Sequence, residues 1–535
     1  MKRLGYDKLE KDEARLLQFV PDISTSNSVG QFKQNPTETS LESPSEFWPD
    51  SKNLPSPTLR STNDAKEAQN FTDSGERGEF NSRTLRLILQ KTKIYDLFEK
   101  YVSDPRRVSS ITYSVPSILM HALSLMLLHQ KSRNALHDKE LLSSHLKSNL
   151  AKLIQAPSTP SPKTVEDLML NLNANELEPI LPALFHMLLR KKFFQLHPEY
   201  RMDIEGNEPA SFLLGIDAKY THTYYDSSQH PAASCPYCLK RTRGEVSWYL
   251  HCDVSLCVIG KNGFVFPLFL YRVKANHAWE GENDEILKQQ CELSALPHLL
   301  EKFRKYFPKL KATLLLDSLY AQGTTMDLCD QFKLGYMITR KSGSLQSLND
   351  NIEGLKKLQS PETRQYQERR WNKEQTAYIF SDLSHQGHNF TLIDLNEKWT
   401  KRPSKRFAKV CEKSSHWQWI VNQSVRVDHI FQTIYQARLR WSQENFFNAL
   451  VNRGFNLGHD FSRSPHSHTI WHLLMFIAFA LSTLMQLSSL GYLSRKGCAV
   501  VNWIEIIFSE LCSLPTDLLW RGPIPKQLRF WFDTS

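Results

Sequence analysis

With 535 residues, the chain is too long for one compact domain and is expected to fold as two to four units. Its 41% hydrophobic residues can supply a sizeable core, and its nine scattered Cys argue against a disulfide scaffold and for a reducing compartment. The formal net charge of +10 favours a polyanionic partner such as nucleic acid. Residues 1–80 carry 10 Lys/Arg against 14 Asp/Glu, so residues 81–535 carry a net charge of +14.

The first 80 residues are predicted to form a disordered leader. They are rich in Ser, Thr, Asn, Pro and Glu, without a sustained apolar period. Their charged start, MKRLGYDKLEKDEARL, lacks the apolar core of a signal peptide. From residue 81 to about 205, TLRLILQKTKIYDLFEKYV and PSILMHALSLMLLH have apolar residues at helical spacing, which predicts a helical region.

Residues 206–341 change to a strand pattern. Three apolar runs, FLLGIDAKY, SWYLHCDVSLCVIG and GFVFPLFLYRV, are predicted strands, and the turn KNG joins the last two as a hairpin. A helix over about 285–306, a strand in ATLLLDSLY, a helix through TTMDLCDQFK and a strand in LGYMITR follow. This α/β order is typical of an RNase H-like catalytic core, a mixed five-stranded sheet with helices.

The remaining chain is divided into three further parts. Residues 342–425 are polar and partly β-like, and we interpret them as a β-rich insertion. Residues 426–464 are the second part of the core, with one helix that starts near Val427 and ends at Gly454. Residues 465–535 form a helical C-terminal region, whose apolar stretch 470–487 is predicted as a buried helix and not a membrane span. The expected setting is cytoplasmic, without membrane association.

Three acids are the candidate catalytic residues. Asp217 ends the first predicted strand, Asp317 ends the fourth, and the two strands lie side by side in an RNase H-like sheet. Glu444 is on the helix after the insertion, on the same side as Trp441 and Phe447. An acid at the end of an apolar strand is costly without a function or a partner. Three converging carboxylates are suited to two Mg²⁺ or Mn²⁺ ions and to phosphoryl transfer. The alternative interpretation is that each acid is only a helix cap or a turn residue.

The segments around these acids resemble the DDE transposases of bacterial insertion sequences, in particular the insertion sequence 4 superfamily and its relatives. The resemblance covers about residues 85–490. Its most specific segments are TLLLDSLYAQG, with Asp317, and RLRWSQENFFNALVNRGFNLGHDFS, with Glu444. LLGIDAKYTHTYYDSS, with Asp217, is similar to the family's first-Asp strand, and YDLFEKYVSDPRRVSSITYSVPSILM resembles the start of its helical DNA-binding region.

The resemblance implies metal-dependent cleavage at transposon ends and transfer of the freed 3′ hydroxyl into target DNA. The partners would be terminal inverted repeats, target DNA and a second copy of the chain, bound at the bacterial nucleoid. In the family's helix signature, Arg440 fills the Arg place and would contact DNA phosphate. A salt bridge within the helix is the alternative role for Arg440. Ala437 and Val451 replace the signature Tyr and Lys, for which Tyr435 and Arg453 are only nearby substitutes.

A cysteine cluster lies between the first two predicted strands. Cys235 and Cys238 are spaced as zinc ligands, and His251 is a candidate third ligand for a structural Zn²⁺. Because His251 and Cys252 are adjacent in a strand, at most one of them fits easily. The fourth ligand is left open among His230, His222 and Cys257, and ordinary buried thiols are the alternative. Four basic residues near Asp217 and this loop are predicted DNA contacts: Lys219, Lys240, Arg241 and Arg243.

Other acids and other functions compete with this interpretation. The rival acids are Asp226, Asp253, Glu280 and Glu282, of which Asp253 is the best placed, and His459 with Asp460 forms a loop pair after the Glu444 helix. The alternative functions are an RNase H-like nuclease without strand transfer and an inactive, transposase-derived DNA-binding protein. Metal-dependent cleavage separates the enzymes from the binding protein, and joining of ends separates the two enzymes.

Overall fold

The computed structural model describes residues 81–107, 111–196, 211–226, 232, 235–261, 263–275, 284–341, 345, 349, 352, 354, 362–368, 373–401, 411–462, 464–488 and 498–520. These residues adopt a mixed α/β fold around a ten-stranded mixed sheet. The predicted leader over residues 1–80 lies outside the described residues.

Helices precede the sheet, as the apolar spacing predicts. Their bounds are α1 (Ser82–Thr92), α2 (Ile94–Tyr101), α3 (Val115–Leu127), α4 (Arg133–Leu142), α5 (Ser144–Leu153), α6 (Pro162–Met169), α7 (Ile180–Arg190) and α8 (Phe193–Leu196). Serine caps begin four of them: the hydroxyls of Ser114, Ser132, Ser143 and Ser161 each accept a backbone N–H from the first turn. Every residue of α3 is buried, so this helix is the centre of the N-terminal bundle.

The sheet is built from ten strands: β1 (Phe212–Tyr224), β2 (Leu239–Arg243), β3 (Val246–Ile259), β4 (Val265–Arg272), β5 (Ala312–Leu316), β6 (Gly335–Arg340), β7 (Glu362–Glu368), β8 (Lys373–His385), β9 (His388–Lys401) and β10 (Cys411–Val421). Their order is β2-β3-β1-β5-β6-β10-β9-β8-β7, and β4 pairs with β3 on the edge that β2 also uses. β5 is parallel to β1 and β6, whereas the other pairs are antiparallel. The predicted β3–β4 hairpin is confirmed, and β2 is an additional strand.

The insertion is not separate from the core sheet. Its last strand, β10, pairs antiparallel with β6, so β7 to β10 continue the sheet past the predicted five strands. A buried carboxylate, Glu397 on β9, holds this extension to the helix that follows. It pairs with Lys373 at 2.8 Å and with Arg438 at 2.6 Å. The side chain of Glu397 is fully buried, so these two cations are its main compensation for lost water.

Replacing Glu397 by Gln is expected to lower stability near neutral pH by about 1–3 kcal/mol, because the buried Lys373 and the half-buried Arg438 lose their charged partner. Burial alone would raise the pKa of Glu397, but Arg438 and Lys373 lower it from 4.5 to about 2. A lowered folded-state pKa means that the carboxylate stabilises the fold above pH 4.5 and that this contribution is lost as the pH falls towards 2. The difference in unfolding free energy between the two proteins should therefore shrink on acidification, and a difference independent of pH would contradict the ion pairing.

The predicted single helix over residues 427–454 is wrong, because the chain forms two helices there. They are α11 (Ile430–Arg438) and α12 (Trp441–Asn452). At Leu439 and Arg440 the backbone N–H groups bond to carbonyls three residues back, which tightens the chain into a turn and redirects it. Gly454, predicted as the end of the helix, follows α12 with a φ of 92°, a conformation that favours glycine.

The other helices after β4 are α9 (Asp284–Tyr306), α10 (Gly323–Gln331), α13 (Pro465–Leu487), α14 (Val500–Ser513) and α15 (Thr516–Leu519). Among the described helices, α13 alone is long and apolar enough to cross a membrane. However, 78% of its most apolar stretch is buried inside the fold, where it packs against α3 and β4. A core helix has these properties too, and the prediction of a buried helix over 470–487 agrees with the packing.

Candidate functional site

Asp217 and Asp317 lie at matching positions of two neighbouring parallel strands. β1 and β5 pair in register from Phe212 with Ala312 to Gly215 with Leu315, so the same offset continued by two residues brings Asp217 opposite Asp317. The adjacency of these strands is as predicted. Asp217, however, does not end its strand, because β1 continues to Tyr224 through its pairing with β3. Asp317 directly follows β5, and both side chains are half-buried.

Glu444 is in the first turn of α12, and the residue beside it anchors that turn to the sheet. The Gln443 side-chain amide donates to Ser255 Oγ at 2.5 Å and to Cys257 Sγ at 3.3 Å. Ser255 is the direct partner of Asp217 in the β1–β3 ladder, and directly opposed side chains point to the same face of a sheet. Asp217 therefore faces the start of α12, which carries Glu444.

The pKa of Asp217 depends on its burial and on the charged groups near it. Burial raises its pKa to about 6, and the nearby carboxylates of Asp317 and Glu444 act in the same direction. The guanidinium of Arg440 and the backbone N–H of Ala218 act against this rise. The other two predicted acids and the predicted phosphate-binding Arg thus lie near enough to Asp217 for their charges to act on it, although they come from separate regions of the sequence. The three carboxylates are not among the groups of described residues whose ligand atoms all lie within 4.8 Å of one another.

Asp317 also has a local structural task. One of its carboxylate oxygens accepts the N–H of Leu319 at 2.9 Å and caps the short 3-10 helix Ser318–Tyr320. This contact uses one lone pair and orients the side chain. Tyr320 is fully buried next to the site, and burial together with nearby acids raises its pKa well above the usual value. Capping and proximity to Asp217 therefore coexist at Asp317.

Gly215 leaves room beside β1 for the side chains of Ile259 on β3 and Gln443 on α12. A Cβ at this position would lie 2.2 Å from Ile259 Cδ1 and 3.1 Å from Gln443 Oε1. Gly215→Ala is expected to destabilise the fold by about 1–3 kcal/mol through overpacking and to displace Glu444 from Asp217. Chemical denaturation measures the first effect. Gly458→Ala is the matched control, since a Cβ at Gly458 meets nothing within 4 Å; equal stability of both variants would contradict the proposed close packing.

Asp253, the best of the rival acids, has a structural partner. Arg272 on β4 binds both of its oxygens, at 2.8 and 2.9 Å, and His472 on α13 donates to it from Nδ1. Burial alone would raise the pKa of Asp253, but these two residues hold it below the usual range. Asp253 therefore ties two strands to α13. Asp226 is exposed, whereas Glu280 and Glu282 lie outside the described residues.

The cysteine cluster assembles around His251. Cys235 Sγ lies 3.5 Å and Cys238 Sγ 3.2 Å from His251 Nε2, and all three residues are buried. Hydrogen bonds from Cys238 and His251 lower the pKa of Cys235, the bond from Cys238 having the larger effect. Cys257 instead contacts Gln443 near the acids. His230 lies outside the described residues.

The predicted DNA-contacting residues are divided between the surface and the interior. Lys240, Arg243 and Arg453 are exposed, and Lys219 is half-buried on β1. Arg241 is buried, with its guanidinium 5.6 Å from the ring centre of Tyr220. Arg440 is half-buried and lies 4.9 Å from the ring centre of Trp441. In the loop pair after α12, His459 packs on Phe461, and Asp460 lies 3.6 Å from His468 Nε2.

Sequence reasoning missed Gly215, Ser255 and Gln443, which position the acids. Gly215 had a usable signal, because a Gly inside an apolar strand often marks a close backbone approach. Gln443 had none, since its partners on β3 are 186 and 188 residues away in the sequence.

A comparison with models of known protein families finds no match to this chain, and a comparison with curated proteins finds none either. The mixed α/β fold and the acidic site between β1, β5 and α12 are therefore the features that bear on the class of this protein.

Proposed function

We propose that the chain is a DDE transposase, which cleaves DNA at transposon ends and joins the freed 3′ hydroxyl to target DNA. The single observation that carries this proposal is the placement of Asp217 opposite Asp317 on neighbouring parallel strands, with Glu444 and Arg440 near enough to act on its charge. Isolated capping or turn acids from distant segments would not both act on the pKa of one carboxyl, as Asp317 and Glu444 act on that of Asp217. Hard carboxylate oxygens beside an Arg are suited to metal-dependent phosphoryl transfer.

The strand order supports an RNase H-like core. The order β4-β3-β1-β5-β6, with β3 antiparallel to its neighbours and β5 and β6 parallel to β1, is the order of that fold. Asp217 is in the first strand of this five-stranded unit, Asp317 directly follows the fourth, and Glu444 is on the second helix after the insertion. Fold alone does not define a reaction, so the proposal depends on the acids.

The donors are hard carboxylate oxygens, the type that Mg²⁺ and Mn²⁺ prefer, and Asp217, Asp317 and Glu444 would hold the ions. The mutual repulsion that contributes to the raised pKa of Asp217 is relieved when positive charge is placed among the three carboxylates. When bound, two such ions supply activation of the attacking oxygen and stabilisation of the leaving oxygen at phosphorus.

The protein's own residues orient the site and the DNA. Gln443 fixes the first turn of α12, and the N–H of Leu319 holds one oxygen of Asp317. Arg440 places a guanidinium beside Asp217, where it can bind a phosphate oxygen. In the first step water bonds to phosphorus and the 3′ oxygen leaves as a hydroxyl. In the second, that hydroxyl attacks a target phosphodiester and displaces the target's own 3′ oxygen.

The partners follow from charge and from the reaction. The net charge of +14 after residue 80 and the exposed Lys240, Arg243 and Arg453 provide contacts for DNA phosphates. Processing two transposon ends together requires two catalytic sites, so we propose a homodimer on DNA at the bacterial nucleoid, in the cytoplasm.

The test is incubation of the purified chain with a plasmid that carries its flanking element, with Mg²⁺, Mn²⁺ or a chelator. A transposase gives metal-dependent breaks at the element ends and joined products with a target plasmid. Breaks without joining would support a nuclease instead. Binding to the ends without breaks in either metal would support a DNA-binding protein without catalysis.

A further inference from the structure

The loop before β2 and the middle of β3 meet at a second cluster, formed by Cys235, Cys238 and His251. A ligand atom of each residue lies within 4.8 Å of those of the other two. Leu239 pairs with Leu250 in the β2–β3 ladder, so the preceding residue, Cys238, comes opposite His251. The backbone N–H of Cys238 bonds to the carbonyl of Cys235, which turns both thiols towards the strand.

The separations fit one tetrahedral ion. With Zn–S near 2.3 Å and Zn–N near 2.0–2.1 Å, tetrahedral angles require S···N separations of about 3.6 Å. The two S···N separations here are 3.5 and 3.2 Å. Neither thiol is in a disulfide, and all three side chains are buried. The two cysteines form a small hydrophobic cluster with Ala232 and Tyr249, and His251 reaches them from β3. Soft thiolates with an imidazole favour Zn²⁺ over the hard cations that suit carboxylates.

A neighbouring group, His222, His468 and His472, also has ligand atoms within 4.8 Å of one another. Their Nε2 atoms are buried and lack a hydrogen-bond partner among the described residues. However, Arg272 Nη1 donates to His468 Nδ1 at 2.9 Å, so the single proton of a neutral His468 ring is on Nε2. A protonated nitrogen cannot bind a metal, and the Arg272 charge repels a cation. The histidine group is therefore the weaker candidate.

We propose that Cys235, Cys238 and His251 bind a structural Zn²⁺ that holds the 235–238 turn against β3 and fixes the start of β2. Exposed Lys240 and Arg243 on β2 would thereby be presented from a rigid edge strand. The site is separate from the carboxylates and does not depend on the proposed function. Of the fourth ligands that the sequence leaves open, His222 belongs to the neighbouring histidine group, Cys257 contacts Gln443, and His230 lies outside the described residues.

The test is the zinc content of the full chain, purified under reducing conditions without chelator. Wild type is expected to carry one Zn²⁺ per chain, and Cys235→Ala, Cys238→Ala and His251→Ala should each retain less than about a tenth of it. Cys329→Ala is the matched control, because it removes a buried thiol from α10 and should leave the zinc unchanged. His468→Gln should also retain the zinc.

A second measurement, made on wild type alone, keeps the proposal testable if the variants fail to fold. Wild type reconstituted with Co²⁺ should give the thiolate-to-metal charge-transfer bands and the visible bands of tetrahedral coordination. Chelation should lower the melting temperature without DNA present. Three results would each overturn the proposal. The first is a wild type that neither carries nor takes up zinc, and the second is a Cys235–Cys238 disulfide found by mass spectrometry. The third is zinc that is lost in His468→Gln but kept in Cys235→Ala.

Discussion

Glu444→Gln is expected to lower DNA cleavage at least ~10³-fold, because groups that act as one catalytic unit fail together when one is removed. The substitution keeps the shape of the side chain and removes only the negative charge that completes the cluster with Asp217 and Asp317. Gln443 still anchors α12, so the fold and DNA binding should persist. Cleavage of end-containing DNA and gel-shift binding, measured on the same preparation, separate the two effects.

Glu505→Gln is the matched control for this substitution. Glu505 is an exposed acid on α14 and has no part in the cluster, so its variant should cleave DNA as wild type does. If Glu444→Gln cleaved within about threefold of wild type, the carboxylate of Glu444 would have no catalytic task and the site would have to be reassigned. If Glu444→Gln lost cleavage because it did not fold, its unfolding transition would differ from that of wild type.

Asp253→Asn should destabilise the protein by about 3–5 kcal/mol, the second large effect that we expect. Asp253 is 2% exposed, and its carboxylate binds Arg272 through both oxygens and His472 through one of them. A neutral amide would leave the Arg272 guanidinium buried beside two imidazoles without a counter-charge. Urea unfolding monitored by circular dichroism measures the loss.

Two variants distinguish a broken ion pair from simple loss of packing. Asp138→Asn, at an exposed acid on α4, should change stability by less than about 0.5 kcal/mol. The double replacement Asp253→Leu with Arg272→Met should recover much of the loss, since an apolar pair of similar volume is often tolerated where a single buried charge is not. A stability of Asp253→Asn close to that of wild type would mean that the ion pair is not the link between β3, β4 and α13.

The adjacency of the two aspartates was predictable, because each follows an apolar run in an order that makes the two strands neighbours. The continuation of β1 past Asp217 was not, since it depends on pairing with β3 up to Tyr249 and on a bulge at His222 that has a φ of 55°. Asp253 lacked a visible partner in the sequence because Arg272 is 19 residues and His472 219 residues away.

Alternation along a strand was informative at the cysteine cluster. Adjacent strand residues point to opposite faces, so His251 and Cys252 were not expected to serve together, and the structure places His251 beside the cysteine pair. The extension of the sheet by β10 was not predictable from its polar composition. It depends on backbone pairing with β6 and on the buried partners of Glu397, which come from β8 and α11.

Metal-dependent cleavage of a plasmid carrying the flanking element, by wild type and Asp317→Asn side by side, tests the central claim most directly. The three-carboxylate site predicts breaks at the element ends by wild type in Mg²⁺ or Mn²⁺, no breaks with a chelator, and none by Asp317→Asn, which should still bind the ends. Equal cleavage by both proteins would contradict the assignment of Asp217, Asp317 and Glu444 as the catalytic site.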